Sequence, residues 1–89
     1  MTKKRRKLNK DFEKKIYSSK KDVELVLAKI YDIDDEEIQK EYIAAFNKVV
    51  LFYDQLKADY DLTGFNDNST QLMQSYESAF NLFHSEFEI

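Results

Sequence analysis

The chain has no cysteine, no proline and no tryptophan, and only one glycine and one histidine. Without cysteine there is no disulfide, and no thiolate for a zinc, iron–sulfur or nucleophilic site. Without proline, and with Gly64 as the lone glycine, little interrupts a helix. One glycine also excludes a phosphate-cradling loop, which needs several. His84 has Asn81 three residues before it, so the Glu-x-x-His pattern of di-iron bundles is absent. Ser85 is its immediate neighbour, and adjacent helical positions do not face each other, so no Ser-His-Asp arrangement follows. His84 therefore reads as a partly exposed helix residue. Clustered carboxylates suit magnesium, but their spacing does not demand it. No catalytic, metal or cofactor residue is assigned, and the chain reads as non-enzymatic with no cofactor.

Long apolar runs are missing too. The longest is Val49-Val50-Leu51-Phe52-Tyr53, far short of the ~20 residues a membrane-spanning helix needs. The basic opening Lys3-Lys4-Arg5-Arg6-Lys7 leads into Leu8, Asn9, Lys10 and Asp11, with no apolar segment of the secretory kind. The expectation is a cytoplasmic protein that makes no membrane contact. Abundant Lys, Asn, Ile, Tyr and Phe suit an A+T-rich genome, such as that of a low-GC bacterium or its phages.

What is present is a helical rhythm. Phe12, Ile16, Ser19, Val23, Val26 and Ile30 recur at alternating steps of four and three. Ile38, Tyr42, Ala45, Val49, Phe52 and Leu56 repeat the pattern, and so do Met73, Tyr76, Phe80, Phe83 and Phe87. Strands would need a period of two. The 89 residues, 43% of them hydrophobic, supply one small core. The rhythm predicts helices over 9–32, 35–62 and 69–87, with residues 1–8 as a basic, flexible tail. Ser18 and Ser19, with Asp22 to complete a cap, offer a break in the first helix, but the register runs through them. Asp34 and Glu37 read as a capping box, with Ile33 and Ile38 at the staple positions. Gly64, flanked by Tyr60 and Phe65, reads as a left-handed Schellman stop. Asn68 with Gln71 reads as the cap of the third helix. Short connections place neighbouring helices antiparallel, so the expected fold is an all-α, up-down-up three-helix bundle. The second helix carries another stripe, Ile43, Phe46, Val50 and Tyr53. A helix that meets two others needs a wide stripe, so core is favoured over a dimer seam.

Charge is the feature with functional content. Residues 1–21 hold ten Lys or Arg against Asp11 and Glu13, whereas residues 22–89 hold four Lys against fifteen Asp or Glu. The net charge of −3 conceals this split. Asp34, Asp35, Glu36 and Glu37 suit a helix N-terminus, whose partial charge is positive. Lys10, Lys14 and Lys15 at the start of one helix, Asp59 and Asp61 at the end of the next, and Glu86 and Glu88 at the end of the last oppose that rule. In an up-down-up bundle, Asp32, Asp34, Asp35, Glu36, Glu37, Glu86 and Glu88 gather at one pole, with Lys29 and Lys40 as nearby counter-charges. The other pole sets Asp59, Asp61 and Asp67 beside the basic N-terminus and partly neutralises itself. A clustered acidic surface steers a basic partner. Tyr31, next to the acidic pole, is the candidate anchor, because tyrosine tolerates a half-wet site.

The leading expectation is therefore a small acidic binding protein, an inhibitor or regulator. Its partner would be a basic protein surface such as that of a nucleic-acid-binding enzyme. Bacteriocin immunity proteins, phage-encoded inhibitors and antitoxins include small acidic helical bundles of this size and class, although no motif links this chain to them. Two alternatives remain. Lys3, Lys4, Arg5, Arg6, Lys7, Lys10 and Lys14 suit phosphate contact by a nucleic-acid accessory protein, although no aromatic interleaves residues 1–11 to stack bases. A self-associating structural subunit would use Val50 and Tyr53. A monomer or a weak homodimer fits these readings.

Overall fold

The computed structural model describes residues 7–87, which form three helices: α1 (Lys10–Tyr31), α2 (Glu36–Thr63) and α3 (Asp67–Phe87). They make an antiparallel up-down-up bundle, as the rhythm predicts. α1 opens on Asn9, whose side-chain oxygen accepts the Phe12 N–H at 3.0 Å. It runs unbroken through Ser18 and Ser19. All six seam positions of α1, Ser19 included, are buried. A small residue suits Ser19's place, because the Tyr76 hydroxyl donates to the Ser19 carbonyl at 3.3 Å. That contact bridges α1 and α3, whose Cα atoms nowhere come within 8 Å. α2 packs against both.

α2 buries Phe46, Val49, Tyr53, Leu56 and Tyr60, drawing on both of its stripes. Its core-facing line thus lies between the two, as a helix wedged between two partners requires. Val50 is half-buried and Tyr53 sits against Tyr76, ring centroids 6.0 Å apart. Rings then follow one another along the α2–α3 seam. Tyr76 meets Phe80, Phe80 meets Phe46, Phe46 meets Phe83, Phe83 meets Phe87, and Phe87 meets Tyr42, at centroid separations of 4.8–6.1 Å. Each such pair contributes ~0.5–1.5 kcal/mol beyond simple burial. Among the described residues the ladder runs to Phe87 and Tyr42. Ile38, one turn nearer the start of α2, is left 44% exposed, contrary to its place in the seam.

The helix boundaries depart from the sequence reading at three points. Asp35, not Asp34, caps α2, its carboxylate accepting from Glu37 N–H and Ile38 N–H at 3.0 and 3.1 Å. With the cap moved one residue, Gln39 takes the staple's inner position. Its side-chain amide instead donates to the carbonyls of Tyr31 and Ile30, at 3.1 and 3.3 Å. The Tyr31 carbonyl, left over at the end of α1, is satisfied in this way, and the Ile30 carbonyl, which already accepts the Ile33 N–H at 3.1 Å, gains a second donor. Gly64 has φ 74° and ψ −163°, a region that only glycine occupies readily, rather than the left-handed helical one. The next N–H, that of Phe65, turns away from the helix and donates to the Lys7 carbonyl at 2.6 Å. Phe65 packs on Phe12 at 5.1 Å, and Tyr60 reaches the same ring at 5.7 Å. Finally, α3 starts at Asp67. Asn66 accepts from Asn68 N–H, while Ser69 Oγ accepts the Asn66 N–H, a reciprocal box two residues earlier than expected.

Candidate functional site

The turn from α1 to α2 brings Asp32, Asp34, Asp35, Glu36 and Glu37 together within six residues, all exposed. Their surroundings differ. Asp35 is committed to the α2 cap, and Glu36 and Glu37 lie in the first turn, where the helix dipole favours a carboxylate. Asp32 caps the C-terminus of α1, where the dipole opposes it. Asp34 stands between the two helices, with no structural role in capping either. Glu41, exposed one turn beyond Glu37, extends the acidic surface along α2. Sequence reasoning passed over it, although the spacing of four from Glu37 is the signal that finds it. Glu86 is set back from this cluster. Phe87, its neighbour, packs on Tyr42, well inside α2 rather than at its first residue. Glu88 lies outside the described residues.

Counter-charges do not quench this end. Among the described residues the one ion pair is Lys57 with Asp61, 2.5 Å apart near the other end of α2. Lys29 and Lys40 pair with no carboxylate there. Two apolar side chains rise beside the acids: Tyr31, 64% exposed, and Ile38. Gln39 holds the Tyr31 carbonyl, so the last turn of α1 and the first of α2 are fastened to each other at the site.

The opposite pole is organised otherwise. Asp59, which offends the dipole rule, accepts from the Asn66 side-chain amide at 3.2 Å, and Asp61 has Lys57. Glu13 accepts the Tyr60 hydroxyl, and that hydroxyl accepts the Asn9 N–H at 3.1 Å. Lys3, Lys4, Arg5 and Arg6 lie outside the described residues. Lys7, placed in the tail by the sequence, is joined to the bundle by its carbonyl and by an isolated parallel bridge to Gly64. Lys10 and Lys14 are exposed on α1.

Among the described residues an open groove of about 610 Å³ lies between α1 and α3, lined by Met73, Tyr76 and Phe80 and by Lys14, Lys15 and Glu77. Burial pushes the Tyr76 phenol up to about 12. It donates to the Ser19 carbonyl at 3.3 Å. His84 is exposed in the last turn of α3. Among the described residues no group of His, Asp or Glu is arranged to hold a metal ion, and no helix is long and apolar enough to cross a membrane. No family model, curated protein or solved structure matches this chain.

Proposed function

We propose that the protein is a non-enzymatic inhibitor or regulator that docks the α1–α2 turn onto a basic partner protein, such as a nucleic-acid-binding enzyme. The observation that carries this is the pairing of the exposed acids Asp32, Asp34, Glu36, Glu37 and Glu41 with the exposed Tyr31 and Ile38, at an end where no lysine of the described residues forms an ion pair. Acidic residues around an apolar centre match the usual anatomy of a specific interface, in which rings and aliphatics anchor and charges steer. The reading assigns anchoring to Tyr31 and Ile38 and steering to the carboxylates. Asp35 stays with the cap, and Glu86 contributes only at long range.

The test is a pull-down from the native host's extract, with and without nuclease, using the wild type and an Asp34→Lys/Glu36→Lys/Glu37→Lys variant that leaves the Asp35 cap in place. Circular dichroism checks that the variant folds. A basic protein retained by the wild type after nuclease and lost by the variant supports the reading. Equal retention by both, or recovery of nothing but nucleic acid, overturns it.

A further inference from the structure

A second surface lies on the solvent side of α1, and it is basic. At 100° per residue, Lys10, Lys14, Tyr17 and Lys21 fall within about 60° of arc, opposite the buried Phe12–Ile30 line. Their steps of four, three and four repeat the core rhythm on the far face. All four are exposed, Tyr17 by 60%. None of the three lysines is in an ion pair among the described residues. The Lys21 ammonium lies 4.7 Å from the centre of the Tyr17 ring. From residue 7 to 21 there are six lysines against Asp11 and Glu13. The nearer carboxylate, Glu13, is turned to the Tyr60 hydroxyl. The stripe spans roughly 16 Å along the helix.

We infer that this face binds single-stranded nucleic acid, with Lys10, Lys14 and Lys21 on the phosphates and Tyr17 stacking on a base. The proposal is independent of the acidic pole and uses a different surface. A row of cations without pairing carboxylates attracts a polyanion whatever its sequence. An exposed tyrosine in the middle of that row is an aromatic platform, and stacked bases are what distinguish a single strand from a duplex or a membrane. No aromatic lies among residues 1–11, but the stripe extends past them. The helix brings Tyr17 and Lys21 onto the face of Lys10 and Lys14. Lys21, already over the ring, is placed to meet the phosphate next to the stacked base.

The test titrates the full chain with a fluorescent deoxythymidine oligomer, a duplex of equal length, and vesicles of phosphatidylcholine mixed with phosphatidylserine, over a range of salt. Residues 1–9 stay intact in every variant, so any loss belongs to the stripe. Expected is a preference for the single strand. Tyr17→Ala weakens it about ten-fold or more, while Tyr17→Phe keeps it. Lys10→Gln/Lys14→Gln/Lys21→Gln flattens the logarithmic salt slope by about 2. In Tyr17→Trp, indole fluorescence is quenched as the strand binds, which reports stacking directly. No binding to the oligomer at low salt overturns the proposal. So does equal binding of strand and duplex with Tyr17→Ala neutral, or preference for the vesicles, or an unchanged slope in the triple variant.

Discussion

The Tyr60 hydroxyl joins the end of α2 to the start of α1, donating to the Glu13 carboxylate while accepting the Asn9 N–H. It fastens residues far apart in the chain and satisfies a backbone donor just ahead of α1. A hydrogen bond to a charged acceptor contributes more than a neutral one. Tyr60→Phe should lower the unfolding free energy by ~1–3 kcal/mol in urea titration. Glu13→Gln should cost less, because an acceptor remains. Equal, negligible effects in both would mean that the contact contributes nothing.

Gln39 ties the two helices that build the acidic pole. Gln39→Ala should cost about 1 kcal/mol. Gln39→Glu should cost more, since it removes the donors and sets a negative charge against the carbonyls of Ile30 and Tyr31. Thermal melts of the three proteins give the order directly.

The cap assignment makes a sharp contrast between neighbours. Asp35→Ala should lose ~0.5–2 kcal/mol, and Asp34→Ala should stay within ~0.5 kcal/mol of the wild type. The reverse order in chemical denaturation would restore the capping box that the sequence suggests.

Gly64 occupies a positive φ with extended ψ. Any Cβ is strained there, so Gly64→Ala should cost ~1–3 kcal/mol. Amide exchange should show the loss at Phe65, whose N–H depends on this geometry to reach Lys7.

Tyr76 makes stability depend on pH on the alkaline side. Burial raises its phenol to about 12 from an ordinary value of 10.0, and raises Tyr53 in the same direction. The native state therefore holds the proton more tightly, and the unfolded chain ionises first. Below pH 10 this proton favours neither state. Between pH 10 and about 12 stability should fall, by up to about 1.4 kcal/mol per pH unit from Tyr76. Tyr76→Phe should flatten that decline, after an initial loss of about 1 kcal/mol from the Ser19 bond. Urea midpoints measured from pH 7 to 11 read both effects.

The three helices and the buried face of α1 were legible because apolar spacing and helical period coincide over more than five turns, from Phe12 to Ile30. Ser19 kept its place in that register although it is polar, since a seam is set by position and not by one residue's transfer energy. The gathering of Asp32, Asp34, Asp35, Glu36 and Glu37 followed from chain order alone, as adjacent residues in one turn cannot separate. Capping was less legible. Asp34 and Asp35 are chemically alike, and only the path of the turn decides which carboxylate meets the free N–H groups of α2. Ile38 keeps the seam's spacing yet is 44% exposed, because the last described ring of α3, Phe87, packs on Tyr42 one turn farther along α2.

The sequence by itself determined an all-α bundle, its antiparallel order and an acidic turn separated along the chain from a basic first 21 residues. Those properties are local: spacing, short loops and the order of charges along the chain. Only the tertiary structure decided that Gln39 would lock the acidic turn, that Tyr60 would claim Glu13, and that Lys21 would lie over the exposed Tyr17 ring. Each of these depends on which side of a helix its neighbours cover, and helix packing chooses that side from many that the same rhythm permits.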